Sequence, residues 1–176
     1  MITASRHRWS RFLALPLLAL LLVSSIDAPP AFAVDLIEAA RNQDSEAVQS
    51  LLAEGSNPNK QQADGATALH WAVYGENSDM AASLIEAGAD VNAVNRLGAS
   101  ALYIAAKSGQ GDLIEQLLAA GADPNLALDM NETPIMTASR SGTVKGVRHL
   151  IDAGADINTR ESSRNQTALM WAAAQG

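Results

Sequence analysis

The sequence repeats at a fixed spacing of 33 residues, and this periodicity constrains the fold more than any other feature. Glycine recurs at Gly55, Gly88, Gly121 and Gly154. A pair of bulky aliphatic residues keeps the same period, at positions 51–52, 84–85, 117–118 and 150–151. Such a period is typical of a stacked repeat protein, in which each unit buries its apolar face against its neighbours.

Residues 64–93 contain the clearest copy of one unit. Thr67 is a residue type that caps helices, and it opens a short apolar segment that Gly75 interrupts. A second apolar segment, residues 80–87, ends at Gly88, where glycine tolerates the left-handed conformation that closes many helices. The sequence therefore predicts an all-α solenoid of stacked helix–turn–helix units.

Both ends of the unit follow a recognisable pattern. Residues 67–70 and 133–136 read Thr-Ala-Leu-His and Thr-Pro-Ile-Met, and Gly-Ala-Asp-x-Asn stands at residues 88–92, 121–125 and 154–158. These segments resemble the ankyrin repeat, and the resemblance covers about residues 34 to 176. It implies an ankyrin-repeat solenoid in which short hairpin-like turns join the helix pairs. Since one fold hosts many functions, the resemblance does not identify a partner.

The register divides the chain into repeats. We predict an N-terminal capping repeat at 34–63, full repeats at 64–96, 97–129 and 130–163, and a partial repeat at 164–176. The fourth repeat is one residue longer, and we expect the excess, within residues 161–163, to lie at a turn tip.

Asparagine stands at several predicted turns. Asn42, Asn131 and Asn165 are expected to supply turn residues, because asparagine tolerates the left-handed backbone. Residues 131–133 and 165–167 also read as N-glycosylation sequons, which is the alternative interpretation. The turn accounts for Asn131 and Asn165 without any modification.

Residues 1–33 read as a secretory signal peptide. A basic start that includes Arg8 and Arg11 precedes an apolar run at 12–23, and the small-x-small sequence at 31–33 follows as a cleavage site. Cleavage there would leave Val34 as the mature N-terminus. The alternative is an uncleaved membrane anchor, which the short run disfavours, since a helical span needs about 20 apolar residues.

Composition excludes several classes of function. The chain contains no cysteine, so disulfides, thiolate metal sites and a lipid-modified cysteine are excluded. Residues 34–176 hold 9 lysines and arginines against 18 acidic residues, a formal charge of −9, so we expect no nucleic-acid partner. No second apolar span follows the leader, so no membrane contact is expected after signal cleavage. A leader without any cysteine predicts export in a bacterium, to the periplasm, with an extracellular destination as the alternative.

Three patterns that resemble chemical sites have structural explanations. A histidine at the place of His70 makes structural hydrogen bonds in ankyrin repeats. The glycines of residues 109–111 lack both the third glycine and the preceding strand of a phosphate loop. Acidic residues recur after the second helices, but a calcium loop needs alternating ligands within one loop; these residues are Asp90, Asp123 and Asp156. We therefore predict no catalytic residue, no metal site and no cofactor.

One column of residues supports a partner-binding hypothesis. The same place in successive first helices holds Trp71, Ile104, Thr137 and Trp171, and three residues later come Tyr74, Lys107, Arg140 and Ala174. Positions i and i+3 share a helix face, and Trp, Tyr and Arg are enriched in binding hot spots. The resemblance implies that first helices and hairpin tips line a concave surface. The predicted partner-binding residues are Trp71, Tyr74, Ile104, Lys107, Thr137, Arg140 and Trp171. The alternative is that Trp71 and Trp171 only cover the apolar stack.

The function predicted from these features is an exported, non-catalytic scaffold for protein–protein interaction. The alternative is the N-terminal part of a longer exported enzyme or effector whose chemistry lies beyond residue 176. The last predicted helix, residues 167–174, carries Leu169, Met170 and Trp171 without the second helix of its repeat. Because an end repeat needs a polar outer face, we expect the reading frame to continue past Gly176.

Overall fold

The computed structural model describes residues 35–175, so the predicted signal peptide at 1–33 lies outside the described residues. Within this range the chain forms nine α-helices. They are α1 Leu36–Arg41, α2 Ser45–Ala53, α3 Ala68–Tyr74, α4 Ser78–Glu86, α5 Ala101–Lys107, α6 Gly111–Ala119, α7 Pro134–Ser141, α8 Val144–Asp152 and α9 Ala168–Ala173. One 3-10 turn covers Asp129–Asn131. None of these helices combines the length and the apolar character needed to cross a membrane.

The helices stack in two layers. The first helices of successive repeats pack on one another, from α1 through α3, α5 and α7 to α9, and form the first-helix layer. The second helices α2, α4, α6 and α8 form the second-helix layer. Leu84, Leu117 and Leu150 are fully buried between the layers, and the alanines at 72, 105 and 138 are buried where first helices approach closely. The predicted all-α solenoid is therefore confirmed.

Hairpin-like turns join the repeats, as the resemblance implies. In two of them a single antiparallel bridge closes the turn, between Val94 and Ser100 and between Leu128 and Glu132. The asparagines that end the first two Gly-Ala-Asp-x-Asn segments, and their counterpart Asn59, each tie one repeat to the next. The side-chain amides of Asn59, Asn92 and Asn125 donate to the carbonyls of Gly88, Gly121 and Gly154 and accept from the amides of Asp90, Asp123 and Asp156. These three aspartates are turn residues, as predicted.

The turn inside the first two repeats differs from the expectation. The left-handed residues are Gln43 and Glu76, both with φ of 58°, one position after Asn42 and Gly75. Gly75 has an ordinary φ of −83°, but an added Cβ would collide with the side-chain amide of Gln43. That amide donates 2.9 Å hydrogen bonds to the carbonyls of Ala40 and Trp71. The space at Gly75 is therefore occupied by a hydrogen-bonded side chain of the preceding repeat, and the backbone angle of Gly75 itself does not demand glycine.

The later turns agree with both expectations for them. Asn131 and Asn165 have φ of 62° and 56°, so both are left-handed turn residues, and the Asn131 side chain donates to the carbonyl of Arg160 at 2.9 Å. The long fourth repeat accommodates its excess in an exposed turn at residues 162–164, and Glu161, which precedes this turn, is 3 % exposed.

Glu161 organises the enlarged turn from within. Its carboxylate accepts from the backbone amides of Ser163, Arg164 and Gln166 at 2.6, 2.8 and 3.1 Å, and from the hydroxyl of Ser163. These donors, the Ser163 hydroxyl first, lower the pKa of Glu161 to about 2. The extra residue is tolerated because a buried carboxylate satisfies the amides that the longer turn leaves unpaired.

Candidate functional site

His70 has a structural role in the first-helix layer. Its Nδ1 accepts a 3.1 Å hydrogen bond from the Thr67 amide, and its Nε2 lies 3.0 Å from the carbonyl of Ala99 in the next repeat. With Nδ1 accepting, we assign the proton to Nε2, which donates to Ala99. Burial lowers the pKa of His70, which keeps the ring neutral. The imidazole thus joins two repeats and is enclosed by them, as the sequence led us to expect.

Tyr103 occupies the place of His70 one repeat later. Its hydroxyl donates to Oε1 of Glu132 at 3.4 Å, and burial raises the pKa of Tyr103. The same carboxylate oxygen accepts from the Thr137 hydroxyl at 2.9 Å and from the guanidinium of Arg140 at 3.2 Å. Glu132 therefore connects α5, α7 and the preceding hairpin tip.

The seven residues predicted to bind a partner all lie on the first-helix layer, but at different depths. Tyr74 is 70 % exposed, and Lys107 and Arg140 are also exposed. Trp71, Ile104 and Trp171 are half-buried and pack against the core. Thr137 is only 1 % exposed, which corrects its assignment to the outer surface: its hydroxyl positions Glu132 beneath Arg140.

Arginine stacks on tryptophan at both ends of this column. The guanidinium carbon of Arg41 lies 4.9 Å from the centre of the Trp71 ring, and that of Arg140 lies 4.7 Å from the Trp171 ring. Tyr74 meets Trp71 edge-on, with ring centroids 5.9 Å apart. Each stack joins one repeat to the next and holds a charged group flat on an aromatic ring, a contact contributing about 0.5–1 kcal/mol at exposed sites.

Both tryptophans also pack as the alternative interpretation expected. The indole Nε1 atoms of Trp71 and Trp171 are enclosed and have no hydrogen-bond partner among residues 35–175. The Nε1 edge of each ring therefore belongs to the apolar stack, and an arginine lies over the face of each ring. On the surface itself, Tyr74, Lys107 and Arg140 are the most accessible of the predicted residues.

A cleft of about 580 Å³ lies between the 128–132 turn and α9. Its lining includes the apolar side chains of Leu128, Met130 and Trp171, the guanidinium of Arg140, and the carboxylates of Asp129, Glu132 and Glu161. Arg164 adds a second guanidinium at its edge. The cleft thus brings apolar side chains and groups of both charges together on the first-helix layer.

A scan against protein-family models matches the family described as "Ankyrin repeats (3 copies)", over residues 36–128 and again over residues 111–176. The chain belongs to the ankyrin-repeat family. Ankyrin repeats generally mediate protein–protein interaction, and ankyrin-repeat domains are typically non-catalytic. A search of the curated proteins found no match to this chain.

The ankyrin stack also contains surface residues that sequence reasoning missed. Leu97 and Met130 hold the same place in successive hairpin tips and are 72 % and 61 % exposed. Arg41, which stacks on Trp71, extends the column by one repeat towards the N-terminus. The 33-residue period was the available signal, since it relates Leu97 to Met130 and Arg41 to Tyr74. Among the described residues no group of three or more His, Asp or Glu side chains is arranged to hold a metal.

Proposed function

We propose that residues 34–176 form a non-catalytic module that binds another protein through the first-helix layer, without a cofactor. The observation that carries this proposal is the exposure of Tyr74, which stands 70 % accessible beside Trp71 on a layer of helices. Exposed aromatic side chains on rigid elements are favourable anchors for a partner, because they bury a large area with little loss of side-chain freedom. Arg140 and the exposed tip residues Leu97 and Met130 extend this surface.

A capture experiment with paired double variants tests the surface. Tyr74→Ala with Arg140→Ala removes one exposed aromatic residue and one exposed arginine from the first-helix layer. Val144→Ala with Arg148→Ala removes a matched exposed apolar residue and an exposed arginine from α8. A crosslinked partner that is lost with the first pair and retained with the second supports the proposal. Equal capture by the two double variants contradicts it.

The same proposal includes export to the cell envelope of a bacterium, with the periplasm as the destination. Its support is the order of a basic start, an apolar run and a small-x-small site within residues 1–33. Fusion of residues 1–40 to a phosphatase that is active only after export tests it, with Leu18→Arg as the control that interrupts the apolar run. We expect activity from the native leader alone and a mature N-terminus at Val34. An inactive native fusion would overturn export.

A further inference from the structure

Charge divides unequally between the two helix layers. The first helices carry three basic residues, Arg41, Lys107 and Arg140, against one acidic residue, Glu38. The second helices carry six acidic residues, Glu46, Asp79, Glu86, Asp112, Glu115 and Asp152, against Lys145 and Arg148. Within a domain of formal charge −9, the first helices therefore carry a net positive charge because they hold only one acidic residue.

The basic residues form a row with Tyr74. Arg41, Tyr74, Lys107 and Arg140 stand 33 residues apart, each in the last turn of its first helix. The axes of packed helices lie about 8–10 Å apart, so these side chains are spaced by about that distance. The row therefore offers hydrogen-bond donors at regular intervals along the stack.

Lys107 is the charge in this row that is left available. Arg41 is paired with Glu38 at 2.9 Å, and Arg140 is paired with Glu132 at 3.2 Å. Lys107 makes no ion pair within residues 35–175. Arg140 uses one nitrogen on Glu132 and, since a guanidinium has five N–H donors, retains others for a second acceptor.

Long-range repulsion by the acidic second-helix layer does not cancel the attraction of a carboxylate to Lys107. At physiological ionic strength the Debye length is about 8 Å, so exposed charges farther apart than this are largely screened. A carboxylate brought to Lys107 would interact mainly with the basic row. The acidic second-helix layer would instead repel acidic chains that approach the second helices.

The spacing of the row also favours one backbone conformation in the partner. In a polyproline II segment, residues three apart point the same way and lie about 9 Å apart, close to the spacing of the helices. Such a segment has no internal hydrogen bonds, so its carbonyl groups are free to accept from the Tyr74 hydroxyl while its carboxylates face Lys107 and Arg140. A partner helix would have used those carbonyls internally.

We propose that the partner contributes an extended acidic segment whose carboxylates, three residues apart, pair with Lys107 and Arg140 while Tyr74 packs on its backbone. This inference rests on the proposed function, because it describes the partner of the same surface. It adds a chemical identity, an acidic extended peptide, that the family membership does not provide.

Selection from a phage-displayed library of random dodecapeptides on the immobilised full chain tests it. We expect enriched peptides to carry aspartate or glutamate pairs three residues apart, and to lose binding with Lys107→Glu but not with Arg148→Glu. Enrichment of basic or uncharged peptides whose binding needs Tyr74 would overturn the acidic segment and leave the interaction surface intact. Acidic pairs seven residues apart would indicate a helical partner and overturn the extended conformation. Failure to enrich any peptide that depends on Tyr74 would overturn the extended segment, whereas partner capture with the paired double variants tests the proposed function separately.

A direct titration measures the affinity of the surface for a peptide of this kind. The probe is a fluorescein-labelled peptide of four Glu-Pro-Pro units, compared by anisotropy with one of four Lys-Pro-Pro units. We expect Lys107→Glu to weaken binding of the glutamate peptide by at least about tenfold, because like charges across an interface are strongly unfavourable. Arg148→Glu changes the net charge equally and should alter binding by less than about twofold, since it lies outside the row. Equal effects of both variants, absence of saturable binding, or tighter binding of the lysine peptide would overturn the inference.

Discussion

The guanidinium of Arg140 lies 4.7 Å from the centre of the Trp171 ring and remains partly exposed above it. Arg41 repeats this relationship over Trp71 at 4.9 Å, three repeats earlier. In each case the tryptophan packs inward against the core and the arginine faces outward. Packing therefore depends on the tryptophans and recognition on the outward-facing residues. Substitutions can test the two roles one at a time.

That separation predicts different outcomes for two neighbouring aromatic residues. Trp71→Ala removes a half-buried ring, and we expect a loss of about 2–4 kcal/mol in the free energy of unfolding. Tyr74→Ala removes an exposed ring and should cost less than about 1 kcal/mol while weakening partner capture. Thermal unfolding followed by circular dichroism measures both. A larger stability loss for Tyr74→Ala than for Trp71→Ala would contradict the assigned depths.

Leu117 is predicted to be a critical residue of the stack. It is 0 % exposed in the last turn of α6, so Leu117→Ala should lower the free energy of unfolding by about 2–5 kcal/mol through the cavity it leaves. Glu86→Ala, at an exposed position of α4, serves as the control and should change stability by less than about 0.5 kcal/mol. Chemical denaturation of both variants checks this, and equal shifts would be inconsistent with the 33-residue register.

Gly75 and Gln43 should be energetically coupled. Gly75→Ala would displace the Gln43 amide and should cost about 1–2 kcal/mol, because the hydrogen bonds of that amide to Ala40 and Trp71 would be lost. In a Gln43→Gly background the same substitution should cost much less, because the obstructing side chain is gone and residue 43 keeps its left-handed conformation. A double-mutant cycle of unfolding free energies measures the coupling. Additive effects would show that the contact does not restrict residue 75.

Glu161 should make stability depend on pH in acid. Its folded-state pKa of about 2 lies below the ordinary value of 4.5, so its contribution to stability is fully present above that value. The contribution is lost as the pH falls from 4.5 towards 2, because the unfolded chain binds the proton more readily. We expect Glu161→Gln to be less stable near neutral pH and to show a shallower decline of the melting temperature over this window. Parallel declines for the two proteins would exclude the role assigned to this carboxylate.

The sequence predicted the features that depend on periodicity alone. The two helix layers, the burial of Leu117 and the left-handed Asn131 and Asn165 all follow from residue type at a fixed place in the repeat. The features it did not predict depend on contacts between side chains of different repeats. The side chain of Gln43 from the preceding repeat occupies the space at Gly75, and nothing in the local sequence around Gly75 indicates that contact.

For the predicted site, too, the period predicted which layer a residue lies on, but not the side-chain contacts that bury it. The period placed all seven proposed residues on one layer, because equivalent positions of a repeat face the same way. Thr137 was assigned to the surface although it is buried, since a short polar side chain at this position bonds Glu132 beneath Arg140. The exposed tip residues Leu97 and Met130 were missed because apolar residues in a turn give no helical pattern to detect.

The most direct test of the interaction surface is site-specific photocrosslinking from two positions of equal exposure. A photoreactive phenylalanine derivative replaces Tyr74, which is 70 % exposed on the first-helix layer, or Val144, which is 74 % exposed on the second-helix layer. Illumination of cells that produce each variant should yield a discrete crosslinked partner from position 74 and none from position 144. Crosslinks of equal yield from both positions, or from position 144 alone, would contradict the assignment of the binding surface to the first-helix layer.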